Sequence, residues 1–233
     1  MNRFRDLAEQ RSTFALTFTT CAFCLSTVAQ AGVLVVDSFT TAQTDWLTTG
    51  SGHLGERWKY HDSYGNDPIV RNTLDILGDG RANIDLAASS PTNSGQFRYI
   101  VWRLTYQNFA PINVNGGAQI TLRGHGNAAA FGTNTPVSYP SRVQINALVD
   151  GGFQLNGGVA VSNQSGNLGD ITFDLSGVSS FSFLRLEFSV LADGGDASLQ
   201  YELDEITISP IPAPSAAALL ALAGLTARGR RRK

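Results

Sequence analysis

Cysteine is missing after residue 24, methionine after residue 1, and lysine from all but one position, Lys59, between residues 32 and 208. Without thiols that stretch can form no disulfide and offer no thiolate to a substrate or a zinc ion, so its fold must rest on its own core. Cys21 and Cys24 stand three apart, as in redox or metal pairs, but they fall in a segment expected to be removed. Lipidation at Cys21 is disfavoured, because Phe18-Thr19-Thr20 departs from the Leu-x-small pattern of such sites. A Gly-x-Ser-x-Gly nucleophile elbow is also lacking, and His53, His61 and His125 do not fall at zinc-ligand spacing. The only glutamates between the ends are Glu56, Glu187, Glu202 and Glu205, and the last three read as outward strand positions. A glycosidase needs two facing carboxylates. These absences point away from an enzyme.

What is present at the two ends reads as an address. Arg3, Arg5 and Arg11 precede an uncharged, mostly apolar stretch from Ser12 to Val28, and Ala29-Gln30-Ala31 follows. Small residues at Ala29 and Ala31 fit signal peptidase, so residues 1–31 are expected to form a signal peptide cleaved after Ala31. At the other end, residues 209–233 carry Pro212-Ala213-Pro214, an apolar run from Ala216 to Ala227, and a basic terminus. That terminus contains Arg228, Arg230, Arg231, Arg232 and Lys233. The run is short against the roughly 20 residues a bilayer span needs. It suits transient insertion as a short transmembrane helix, with the basic cluster held on the cytoplasmic side.

The order Pro-x-Pro, apolar helix, basic terminus on an exported chain resembles the PEP-CTERM sorting domain of bacterial surface proteins. The resemblance covers about residues 209–233, and Ala213 stands where the family carries glutamate. It implies recognition by an exosortase, an integral-membrane cysteine protease acting near the Pro-x-Pro motif. It further implies association with exopolysaccharide and biofilm matrix.

Between these ends, residues 32–208 have the size of one domain. Three of the seventeen Lys and Arg lie before residue 32 and five after residue 227, while seventeen of the nineteen Asp and Glu lie between. The middle is therefore about eight charges negative, which makes nucleic acid and anionic lipid poor partners. Turn pairs recur at Gly78-Asp79-Gly80, Asp150-Gly151-Gly152 and Asn156-Gly157-Gly158, and no helix-period stripe runs between Gly32 and Ser209.

Several segments read as strands. Val33-Leu34-Val35-Val36 is a continuous apolar run, expected near a sheet centre. Arg98–Leu104, Ala118–Arg123, Val143–Val149 and Phe153–Val161, the last with a glycine break, read as strands, and Ile171–Leu175 as a short one. Leu184, Leu186, Phe188 and Val190 alternate with Arg185, Glu187 and Ser189, predicting one buried and one wet face. Leu199, Tyr201 and Leu203 continue the alternation, and Asp204-Glu205-Ile206 shifts its phase, predicting a bulge.

The fold class expected is all-β, a sandwich of short antiparallel strands. Bracketing by Asp37-Ser38-Phe39 at the start and Tyr201–Ile208 at the end resembles the galactose-binding-like jelly roll of many carbohydrate-binding modules. A concanavalin-like sandwich is the alternative. In such jelly rolls the first and last strands lie together, and the resemblance makes Asp37, Asp204 and Glu205 candidate ligands of a structural calcium ion; no cofactor is otherwise implied.

Trp46, Trp58, Trp102, Tyr60, Tyr64, Tyr99 and Tyr106 are either ordinary core aromatics or a sugar-stacking platform. The segment Trp58–Tyr64 has the most exposed character, making Trp58, Tyr60 and Tyr64 the candidate carbohydrate-binding residues. The expected function is that of a non-catalytic surface or matrix protein, structural or adhesive. A carbohydrate-binding module for extracellular polysaccharide is the alternative, and a glycan-active enzyme on a concanavalin-like sandwich a weaker one. Exposed rings lining a groove favour binding; buried rings favour a structural role.

Overall fold

The computed structural model describes residues 32–43, 49–52, 54–90, 97–114, 117–132 and 140–210. The expected signal peptide with Ala29 and Ala31, the whole of Pro212–Lys233, and Trp46 and His53 lie outside the described residues. Among the described residues no helix is long and apolar enough to cross a membrane.

The described chain folds into strands. In order they are β1 Leu34–Asp37, β2 Thr49–Gly52, β3 Gly55–Gly65, β4 Ile69–Ile76, β5 Ala82–Ser89 and β6 Phe97–Gln107. Next come β7 Ile112–Asn113, β8 Ala118–Gly132, β9 Arg142–Val149, β10 Phe153–Gln154, β11 Asn156–Gly157 and β12 Val159–Ser162. The last five are β13 Gln164–Leu168, β14 Ile171–Asp174, β15 Ser180–Phe181, β16 Leu184–Asp193 and β17 Gly195–Pro210.

Two antiparallel sheets carry nearly all of them. The first runs β11-β14-β8-β17-β5-β4, with β1 also on β17 and β13 also on β8. The second runs β10-β9-β16-β6-β3-β2, with β12 also on β9. A two-stranded ribbon joins β7 to β15. The sheets share one apolar core, to which β16 gives Leu184, Leu186, Phe188 and Val190, and β17 gives Leu199, Tyr201 and Leu203. Each such Leu or Phe taken from water contributes about 1.5–3 kcal/mol.

The period-two pattern of β16 thus buries the side predicted. The phase shift in β17 is also present: the register with β8 slips between Leu203 and Glu205, and Ile206 and Ile208 then return to the core. The first and last strands lie together, Leu34 opposite Ile208.

The expectation that residues 33–36 lie near a sheet centre is corrected. β1 pairs with β17 alone, over Ile206–Ile208, and Val33 is 58% exposed. The reason is the length of β5, which covers β17 only from Asp196 to Leu203. β1 fills the short gap beyond and buries only its last residues. Residues 153–161 also differ from a single strand, because β10 and β12 join β9 while β11 crosses to β14 in the other sheet. Gly157 (φ 109) and Gly158 (φ 85) make that crossing in a backbone region closed to most residues.

Candidate functional site

β3 is built inside out. Its charged residues Arg57 and Lys59 face the core, with Arg57 fully buried, and its aromatic residues Trp58, Tyr60 and Tyr64 lie on the opposite face. A buried cation is tolerated only when paired and hydrogen-bonded. Arg57 meets that demand through Asp37, Gln43 and Thr41. Its Nη1 donates to Asp37 Oδ2 at 2.7 Å, Nε to Gln43 Oε1 at 2.9 Å, and Nη2 to the Thr41 carbonyl at 2.6 Å. Its guanidinium lies 5.7 Å from the Phe39 ring centroid. Asp37 also accepts from the Tyr106 hydroxyl at 3.0 Å and from the Phe39 amide at 2.9 Å. Burial and the neighbouring Asp37 charge push the Tyr106 phenol well up.

Lys59 donates to the Leu74 and Gln43 carbonyls at 2.8 and 3.3 Å, and its ammonium sits 5.6 Å from the Trp102 ring centroid. Because strand side chains alternate, anchoring residues 57 and 59 inside places residues 58, 60, 62 and 64 outside.

The pairing of β3, β6 and β16 sets their neighbours. Trp58 stands beside Thr105 and, one strand on, Arg185; Tyr60 stands beside Arg103 and then Glu187; Tyr64 stands beside Tyr99 and then Leu191. Among the described residues, Trp58, Tyr60 and Phe183 are the rings of a groove of about 400 Å³, which Lys59, Arg103, Arg185, Thr105 and Gln107 also line. Tyr60 is 38% exposed and Tyr64 53%. Further along the face, Tyr64 and Tyr99 stack with centroids 6.1 Å apart and ring planes 15° from parallel.

A charged chain crosses the middle of this face. Arg103 Nη1 donates to Asp62 Oδ2 at 2.6 Å and Nε to Glu187 Oε1 at 2.8 Å, with the guanidinium 5.6 Å from the Tyr60 ring centroid. The Tyr60 hydroxyl donates to Asp62 Oδ1 at 2.5 Å. That hydrogen bond first, and Arg103 second, hold the Asp62 carboxyl below the usual carboxylate range, while the same bond pushes the Tyr60 phenol up. At the near rim, Glu56 Oε2 accepts from Asn108 Nδ2 at 2.8 Å and from Trp58 Nε1 at 3.4 Å. The result is a row of flat apolar rings beside fixed, planar hydrogen-bonding groups.

Other candidates are placed elsewhere. Trp102 and Tyr106 are core residues: Trp102 stacks on His61 at 4.9 Å and donates from Nε1 to Asn72 Oδ1 at 2.7 Å. The three candidate calcium ligands do not share a centre. Asp37 is committed to Arg57, Asp204 is exposed, and Glu205 pairs with Arg123 at 3.5 Å. Among the described residues no three His, Cys, Asp or Glu side chains group as a metal site.

Arg103, Arg185, Glu187 and Phe183 were not among the sequence candidates for this face. Arg185 and Glu187 were legible only as the wet side of β16, since their partners on β3 and β6 are far away in sequence.

No protein-family model matches the chain, and no curated protein matches it. Solved structures give distant likenesses. The enzymatically active domain of tailspike protein 4 from bacteriophage CBA120 is 11% identical at a TM-score of 0.32 over 66% of this chain; the chain spans 19% of its length. The CBM22-1 xylan-binding domain of Paenibacillus barcinonensis Xyn10C is 16% identical at a TM-score of 0.27, over 78% of this chain and 96% of that one. The family 11 carbohydrate-binding module of a Clostridium thermocellum cellulosomal cellulase is 12% identical at a TM-score of 0.29, over 77% and 95%. No residue role is carried over from any of them.

Proposed function

We propose that this protein is an exported, non-catalytic carbohydrate-binding module with a jelly-roll body of the galactose-binding-like kind. Its ligand is an extracellular polysaccharide, held along the outer face of the second sheet. The observation that carries this reading is the outward row Trp58, Tyr60 and Tyr64, whose first two rings line a groove beside Arg103 and Arg185. Flat ring faces stack on the apolar faces of pyranose rings, while guanidinium, amide and hydroxyl groups meet the sugar hydroxyls at the edges. Because buried Arg57 and Lys59 fix the orientation of β3, the rings are presented before ligand arrives, and little ordering cost remains for binding.

The carboxylates on this face support binding over catalysis. A general acid needs a raised pKa, and Asp62 is held low. Glu187 receives Arg103 and has Arg185 Nε 3.2 Å from the same oxygen, so two guanidinium groups already occupy it. Delivery rests on the sequence ends: the signal peptide supports export, and the PEP-CTERM-like tail supports handling by an exosortase-type protease and retention at the cell surface or matrix.

The test is affinity electrophoresis and calorimetry of the full chain against a panel of plant and bacterial polysaccharides. Trp58→Ala and Tyr60→Ala should each weaken binding roughly thirtyfold, as expected for aromatic hot spots, with the circular dichroism of the sheet unchanged. Binding by the double variant at wild-type affinity would overturn the assignment of this face.

A further inference from the structure

Resting on that reading of the face, we infer that the polysaccharide is anionic and carries carboxylates, as a uronic acid polymer does. What decides the charge of the ligand is the hydrogen-bonding capacity the face has left. Its acceptors are largely taken: Asp62 uses both oxygens on Tyr60 and Arg103, Glu56 receives Asn108 and Trp58, and Glu187 receives Arg103.

Its donors are not. Arg185 lines the groove with its side chain 32% exposed, and its charge contact, Nε at 3.2 Å, goes to a Glu187 oxygen that Arg103 already occupies. Arg142 is partly buried and its Nε has no acceptor. Arg142 lies beside Leu191 across the β9–β16 pairing, so it belongs to the Tyr64–Tyr99 row, as Arg185 belongs to the Trp58–Thr105 row. Six residues of β16 separate the two rows, or about 20 Å of strand. Each row therefore pairs a β3 ring with a partly exposed arginine.

Neutral sugars bring hydroxyls that donate as readily as they accept. A carboxylate only accepts, and its two oxygens match the guanidinium fork. The rest of the molecule sharpens the contrast. Residues 32–208 hold seventeen acids against nine bases, yet among the described residues no Asp or Glu lines the groove. Elsewhere in the domain Arg57 pairs with Asp37, Arg71 with Asp85, Arg81 with Glu202 and Arg123 with Glu205, and Arg98 donates to the Asp67 carbonyl. Arg185 and Arg142 stand on the face with the rings.

The experiment titrates the full chain with polygalacturonate and alginate, with polygalacturonate whose carboxyls have been reduced to neutral alcohols, and with dextran sulfate. At least one carboxylated polymer should bind about tenfold or more tightly than the reduced polymer, and added salt should weaken it. Arg185→Gln and Arg142→Gln should each remove most of that preference while melting as the parent does, and Arg185→Lys should restore only part of it. Equal or tighter binding of the reduced polymer overturns the anionic inference but leaves the binding face standing. Binding of dextran sulfate that survives Trp58→Ala overturns it as unspecific charge attraction. Failure to bind any of these polymers, or any neutral one, overturns both readings.

Discussion

At the scale of single residues, the Tyr60–Asp62 hydrogen bond is an exposed part of the face's polar network that can be read out directly. Asp62 titrates below the ordinary carboxylate range in the folded chain. A carboxyl depressed on folding contributes stability that is present above its unfolded pKa and lost as pH falls through its lower folded value, here below about pH 4. Tyr60→Phe removes the largest cause of the depression. The Asp62 carboxyl carbon, followed by NMR, should then titrate at higher pH than in the parent, with Arg103 keeping it below an unperturbed aspartate. No change in its midpoint would contradict the role given to the Tyr60 hydroxyl. The candidate residues Trp58, Tyr60 and Tyr64 were legible because a run of large rings mixed with Lys, His and Asp has no simple place in a core. Their partners were not: Arg103 meets Asp62 from 41 positions away and Glu187 from 84. Only the pairing of three strands brings these groups together.

At the scale of elements, β3 shows why alternation alone could mislead. A polarity rule sends Arg57 and Lys59 to solvent and the rings beside them to the core. The reverse holds because Asp37, from the end of β1, supplies a counter-charge 20 positions upstream, and Gln43 and Leu74 supply further acceptors. Arg57→Leu fits the space with an apolar group but strands the Asp37 carboxylate between the sheets. Breaking a buried pair in this way costs about 3–5 kcal/mol. Urea denaturation should show a loss of that order, and Arg57→Leu combined with Asp37→Leu should recover part of it. A single variant as stable as the parent would mean that β3 is not held by this pair. Where the pattern was unmixed, as on the core side of β16, or broken by a plain phase change, as in β17, the structure follows it, although Ser189, expected on the wet side of β16, is buried. β1 was misjudged because an apolar run records what a strand prefers, not how many neighbours it is given.

At the scale of the whole molecule, the proposed function divides the labour, giving delivery to the sequence ends and recognition to the described domain. Removal of Ile211–Lys233 should release the protein into the medium, measured as the ratio of secreted to cell-bound protein on immunoblots. Unchanged association with cells would refute the sorting reading, while polymer binding by the released protein should be unaltered. One further consequence follows from the place of β17. It is bonded to β8 from Gly195 to Pro210, to β5 along its first half, and to β1 near its end. The chain toward the proposed anchor leaves from Pro210, whereas a polymer on the opposite sheet pulls through β3. Tension between cell and matrix would therefore run lengthwise along an interior strand and across the apolar layer. Such a force stretches its many ladder bonds together in shear instead of peeling them singly, the geometry in which a short domain holds longest under flow.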